Sequence, residues 1–171
     1  MVSDIVQWGN HTTKLTWIPG RSKPTDFPFS QCYAVVFNDK GEILIINAGQ
    51  WIIPGGTPEN QETAQQTLER ELIEEADVKV NEIELLGAQK VEFLDSHNPV
   101  YEQGDVFYQL RFVCMLKKLL PQTPDPDNGK VYERKFVNAK DVTNYVKWGN
   151  TGEALFKDAY DWFEDRVRRL R

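Results

Sequence analysis

The sequence has little cysteine, no long apolar run and no excess of positive charge. Of 171 residues only Cys32 and Cys114 are cysteines. Each sits inside an apolar run, Cys32-Tyr33-Ala34-Val35-Val36-Phe37 and Phe112-Val113-Cys114-Met115-Leu116. That is the setting of two reduced core thiols and not of a disulfide framework. No stretch approaches the ~20 consecutive apolar residues that span a bilayer. The opening Met1-Val2-Ser3-Asp4-Ile5 lacks a basic segment followed by an apolar one, so no signal peptide is expected. The expected location is cytoplasmic, with no membrane partner. Lys and Arg number 20 against 26 Asp and Glu, a formal charge of −6. Sequence-independent nucleic-acid binding runs on clustered Lys and Arg and is not expected here. A small anionic substrate remains compatible if a metal supplies the local positive charge. The one basic run, Arg166 to Arg171, reads as a complement to a helix C-terminus.

The length suits a single domain over residues 1–171. Residues 1–30 form an aromatic, proline-containing arm, with one strand expected from His11 to Ile18. Gln31 to Phe37 is apolar on both faces, which suits a central strand. Asn38-Asp39-Lys40-Gly41 is a turn signal, and Glu42 to Asn47 the next strand. Pro54-Gly55-Gly56 breaks the chain. Ala64, Leu68 and Leu72 then recur at four-residue spacing, the stripe of an amphipathic helix with Thr63 as its N-cap. The helix ends near Ala76-Asp77. Val80 to Leu94 and Val106 to Leu116 read as long strands around a polar segment, and Val131 to Val137 as the last strand. Ala139 to Val146 is a short helix, and Gly152 to Leu170 a long amphipathic one with Leu155, Ala159, Trp162, Phe163 and Val167 on one face. Strands mixed with helices give an α/β class, a mixed sheet sandwiched between helices. Trp8-Gly9-Asn10 recurs as Trp148-Gly149-Asn150, too short a match to be a repeat.

The chemistry-bearing segment follows the Gly-Gly turn. Glu71, Glu74 and Glu75 are related as i, i+3 and i+4, so on a helix they share one face. Like charges so placed repel by about 0.2–0.5 kcal/mol per pair. Three converging carboxylates are therefore a local fault unless a cation sits between them. Hard oxygen ligands favour Mg²⁺ or Mn²⁺ over zinc. Glycines ahead of the helix let backbone approach a ligand closely. Glu62 lies just before the helix, and Arg70 lies where it can clamp Glu62 as an ion pair. Alone, an acidic helix face is an ordinary solvated surface. The surrounding pattern is what raises this one above that reading.

That pattern resembles the Nudix hydrolase signature: Gly, five residues, Glu, seven residues, Arg-Glu, an aliphatic, any residue, Glu-Glu, any residue, Gly, an aliphatic. Gly56, Glu62, Arg70, Glu71, Leu72, Glu74, Glu75 and Val78 fall on its positions. Trp51 and Pro54-Gly55 match the usual Trp-x-x-Pro-Gly-Gly lead-in. Two positions depart: Asp77 stands where the signature has Gly, and Gln61 where many members have Gly. A left-handed residue is expected at Asp77, at a cost on the order of 1 kcal/mol or less.

The resemblance implies a Nudix fold and hydrolysis of a nucleoside diphosphate linked to a group X. It also implies attack by water on phosphorus, with Mg²⁺ (or Mn²⁺) supplying the charge that would neutralise the pyrophosphate. Mapped by the motif, Glu71, Glu74 and Glu75 would be metal ligands, with the Gly55 carbonyl as another. Glu62 and Arg70 would orient them, and Glu74 is the choice for general base. Glu102, Asp105 and His97 are alternatives in the polar segment. Glu133, three residues before Phe136, would contribute with Gly56 to substrate binding. Trp17, Phe27, Phe29 and Tyr101 are the aromatics that would stack on a base. No proline stands at Phe93 or Leu94, the marker of ADP-ribose-type members. The reading favours a MutT-like enzyme acting on nucleoside triphosphates, including oxidised or non-standard ones. It leaves open a nucleotide-sugar or dinucleoside-polyphosphate hydrolase, a nucleotide-binding sensor that does not cleave, and a homodimer.

Overall fold

The computed structural model describes residues 1–20, 29–95 and 104–171. Its strands are β1 (Val2–Trp8), β2 (His11–Pro19), β3 (Phe29–Phe37), β4 (Glu42–Asn47), β5 (Trp51–Ile52), β6 (Gly55–Gly56), β7 (Val78–Phe93), β8 (Val106–Leu119) and β9 (Glu133–Asn138). The helices are α1 (Ala64–Ala76), α2 (Val142–Tyr145) and α3 (Gly149–Arg169). Among the described residues the nine strands form one sheet in the order β1-β2-β7-β8-β3-β4-β5, with β6 pairing to β3 and β9 to β4. Its one parallel pairing there joins β3 to β8, setting Tyr33 beside Arg111. The sheet is therefore mixed.

Alternation along the central strands sends side chains to two cores. Val35 and Phe37 of β3, with Val113 and Met115 of β8, pack under Leu155, Phe156, Ala159 and Phe163 of α3. Ala34, Val36, Leu44 and Ile46 face the other way, against Leu68, Leu72 and Ala76 of α1. The expected stripes thus sit where they were read, and the sheet lies between helices. Cys32 and Cys114 are buried, and no disulfide joins them.

The N-terminal arm departs from expectation: it holds two strands, not one. β1 and β2 form an antiparallel hairpin that joins the sheet through β7. Most of β1 is exposed on both faces, so it carries no burial rhythm to read. Trp8-Gly9-Asn10 makes the hairpin turn, whereas Trp148-Gly149-Asn150 opens α3. Trp148 makes no side-chain cap there. Asp4 of β1 supplies it, its carboxylate accepting from the Thr151 N–H at 2.7 Å and from Asn150 Nδ2 at 2.8 Å. That pins the hairpin to α3, since carboxylates are favoured at a helix N-terminus. The short helix is only Val142–Tyr145, and α3 begins at Gly149, three residues before the expected start.

Candidate active site

The acidic helix starts as its sequence dictates. Thr63 Oγ1 accepts from the Gln66 N–H at 3.2 Å, and Gln66 Oε1 accepts from the Thr63 N–H at 2.9 Å. This reciprocal capping box satisfies two donors that a helix N-terminus leaves open. The preceding loop turns through Asn60 and Gln61, both left-handed (φ 45° and 63°). The strained position of Gln61 explains why glycine suits that place in the signature.

Arg70 organises the acids. Its Nε and Nη2 donate to the two Glu62 oxygens at 2.8 and 3.0 Å. The expected clamp is therefore present, and bidentate. Nη1 donates to Glu71 at 3.1 Å and to Glu74 at 2.9 Å, and Nη2 also to the Thr57 carbonyl at 2.8 Å. These bonds hold the Glu62 carboxyl down at about 2 and push the Arg70 guanidinium above its usual range.

Glu71 and Glu75 point inward. Glu71 is only 9% exposed, and burial raises its carboxyl above the ordinary range, partly offset by Arg70. Glu75 is pushed up to about 7 by burial, against a hydrogen bond from the Gly55 N–H to its Oε2 at 3.0 Å; the charges of Glu71, Asp125 and Glu74 add to the rise. The two glycines make this packing possible. A Cβ on Gly56 would lie 2.2 Å from a Glu71 oxygen, and one on Gly55 would lie 2.1 Å from the Cys32 carbonyl. Among the described residues no three acids converge into a ready cage. Arg70 draws Glu71 and Glu74 to itself, and Gly55 holds Glu75. The donor set nonetheless suits a hard divalent ion. It is all oxygen, partly buried and self-repelling, and a guanidinium already gathers two of its carboxylates.

The structure also shows residues that the sequence reading missed. Asp77 is left-handed (φ 50°), as expected, and ends α1. It is also 3% exposed, because its carboxylate accepts from the Thr123 hydroxyl at 2.6 Å and the Thr123 N–H at 3.1 Å. The departure from glycine thus latches the loop over residues 121–130 to the helix end. That loop brings Asp125 and Asp127 near enough for their charges to act on Glu75 and Glu71 respectively. Arg134 of β9 completes the helix end, donating to the carbonyls of Ala76, Asp77 and Leu120 at 2.7, 3.0 and 2.8 Å. A cation at a helix C-terminus is favourable. The signals in the sequence were the acids of Asp125-Pro126-Asp127 and the lone arginine in the last strand.

Other expected site residues lie outside the acid cluster itself. Glu133 is exposed at the start of β9, paired across from Asn47. Asp105 lies at the β7–β8 turn, its carbonyl accepting from the Phe93 N–H. His97, Glu102, Phe27 and Tyr101 lie outside the described residues. Trp17 is a core residue, 2% exposed, its Nε1 donating to Asp158 at 2.7 Å. Phe29 is half-buried at the start of β3.

No helix of the described residues is long and apolar enough to cross a membrane. The NUDIX domain family model matches residues 30–158. A curated relative, Nudix hydrolase 5 of Arabidopsis thaliana, is 26% identical over 155 residues, which are 82% of this chain and 47% of that protein. The chain thus spans about half the length of the relative it matches. Among solved structures, the pyrophosphohydrolase of Bacillus subtilis superposes with a TM-score of 0.60 at 16% identity, over 80% of this chain and 77% of that one. A MutT structure, from work on Aliivibrio salmonicida and Vibrio cholerae, superposes at 0.53 with 20% identity, over 77% and 95%. At such identities these structures speak for the fold. With its signature on α1 and its family match over three-quarters of its length, the chain belongs to the Nudix hydrolase family.

Proposed function

We propose that this chain is a divalent-metal-dependent pyrophosphohydrolase that cleaves a nucleoside diphosphate linked to X, with nucleoside triphosphates as the favoured class. The observation that carries the reading is the pair of buried Glu71 and half-buried Glu75, packed onto the Gly55-Gly56 turn with Glu75 raised to about 7. Buried, mutually repelling carboxylates weaken a fold, and a chain retains them where a cation offsets the repulsion. Glu71, Glu74, Glu75 and the Gly55 carbonyl would hold Mg²⁺ or Mn²⁺. When bound, such an ion neutralises pyrophosphate charge and acidifies a water. The remaining roles belong to the protein. Arg70, fixed by Glu62, orients the Glu71 and Glu74 carboxylates. Glu74 is the base that takes the proton of the attacking water. Gly56 leaves room for Glu71 and, with Glu133, borders the substrate.

The triphosphate class is favoured because the proline that marks ADP-ribose-type members is absent at Phe93 and Leu94. The test is product release from a panel of nucleoside triphosphates, nucleotide sugars and dinucleoside polyphosphates, with Mg²⁺ or with EDTA. Metal-dependent turnover of triphosphates, lost in Glu74→Gln, is expected. Binding of a nucleotide with no turnover of any panel member would favour a sensor instead.

A further inference from the structure

A second feature of the molecule is unexplained by the acid cluster. On the α3 face of the sheet lies a cavity of about 520 Å³, walled by Trp8, Tyr33 and Trp148 and floored by Gln89, Gln109 and Arg111. Ligand pockets are of this size and kind, aromatic walls with a few convergent polar groups. Among the described residues no Asp or Glu lines it, although the chain carries a net charge of −6.

Arg111 is the anomaly. It is 3% exposed, and buried charges are ordinarily paired. Its Nη2 donates to Gln109 Oε1 at 2.8 Å and Gln89 Oε1 at 3.4 Å, and its Nη1 to the Leu110 carbonyl at 3.5 Å. Its Nε, also buried, has no acceptor among the described residues. The guanidinium lies over the rings of Tyr33 and Trp148, 4.6 and 5.5 Å from their centres. Burial pulls it down only to about 10, so it stays charged at neutral pH. The glutamine oxygens are already turned to Arg111, and Gln109 Nε2 donates to Gln31 at 2.5 Å. Both glutamine oxygens are thus engaged by Arg111, and the guanidinium is the charged donor of the floor. Lys147 adds a further donor at the rim.

The cavity adjoins the acids through Tyr33. That residue lines the cavity, lies opposite Gly55 in the β3–β6 pairing, and feels the charges of Glu75 and Glu71. A nucleotide with its phosphates at the acids would reach it with its base.

We propose that this cavity is the base subsite of the hydrolase and that Arg111 makes it select keto bases over amino bases. The inference rests on the hydrolase reading above. Guanine, hypoxanthine and uracil present a carbonyl oxygen where adenine and cytosine present an amino group. The carbonyl can accept from the guanidinium edge, where Nη1 has only a 3.5 Å bond to the Leu110 carbonyl, whereas the amino group sets donor against donor there. Trp8, 45% exposed, and Trp148 supply the stacking surfaces.

Inosine and adenosine triphosphates differ at this edge and carry the same phosphates, so they are the probes. Binding is read by tryptophan fluorescence in EDTA, and kcat/KM is read with Mg²⁺. ITP is expected to bind about tenfold or more tightly than ATP and to be turned over with the same preference. Arg111→Met is expected to erase the difference. Arg111→Lys, which keeps charge but not the planar fork, is expected to reduce it. Should Arg111→Met fail to fold, Trp8→Ala at the rim serves, weakening both nucleotides equally. Equal binding of ITP and ATP by the native chain would overturn the proposal. So would inorganic phosphate competing as well as ITP, which would make the cavity an anion site. ITP binding without turnover would sink the hydrolase reading alone, and equal turnover of both nucleotides would sink the subsite alone.

Discussion

Replacing Glu75 with Gln is expected to strengthen the metal-free fold while abolishing activity. The carboxyl moves from 4.5 to about 7 on folding, chiefly through burial. A folded-state value above the unfolded one means that the native protein binds the proton more tightly. No stability is lost below about pH 4.5, the loss grows between 4.5 and 7, and it is complete above 7. At pH 8 the ionised group thus costs the fold up to about 3 kcal/mol. Relaxation of the apoprotein around the charge trims that to about 1–3 kcal/mol. Gln keeps the shape and an oxygen to accept the Gly55 N–H now bonded at 3.0 Å, and it removes the repulsion from Glu71. In EDTA at pH 8 the melting temperature should rise by roughly 2–12 °C, at 2–4 °C per kcal/mol for a chain of this size. By pH 5 the gain should fall to under about 1 kcal/mol. Added Mg²⁺ should raise the melting temperature of the native chain and not of the variant. A variant that melts lower at pH 8, or that gains equally at both pH values, would refute the reasoning.

Further outcomes follow from the same geometry. Asp77→Gly relieves a left-handed non-glycine but cuts two hydrogen bonds to Thr123. It should destabilise by about 1 kcal/mol in urea unfolding, and a Thr123→Val background, which removes the hydroxyl bond but keeps the backbone N–H one, should shrink that loss; a more stable variant would contradict the latch. Gln61→Gly, at φ 63°, should stabilise by up to about 1 kcal/mol without changing turnover. Arg70→Lys loses the bidentate hold on Glu62, so kcat should fall at least about tenfold. Glu62, held at about 2, stays ionised in the native fold. Its favourable pairing with Arg70 is present above about pH 4.5 and lost as pH falls toward 2. In Arg70→Lys the Glu62 carboxyl resonance, followed by NMR, should titrate nearer its ordinary value.

What was legible in the sequence was local. The capping box of α1, its apolar stripe, the left-handed end at Asp77 and the Glu62–Arg70 clamp all lie between Glu62 and Asp77, and each has a spacing that physics fixes. The two-sided burial of β3 was legible too, because a central strand is apolar on both faces. What escaped depended on partners far along the chain. β1 is an exposed edge strand without a burial rhythm, held by its pairing to β2 and by Asp4 at the start of α3. Asp125, Thr123 and Arg134 reach α1 only once β8 and β9 have been placed. The cavity around Arg111 exists because β3 and β8 run parallel and side by side, a pairing that no local pattern announces.

The central claim is that the acids of α1 hold the divalent ion of a pyrophosphohydrolase. The most direct measurement is Mn²⁺ binding by electron paramagnetic resonance at pH 8, with triphosphate turnover measured on the same preparations of the native chain, Glu71→Gln and Glu75→Gln. The account predicts that the native chain binds the ion and turns over substrate, and that each variant loses at least about tenfold of both. Equal Mn²⁺ binding by all three folded proteins, or turnover that persists in EDTA, would contradict it.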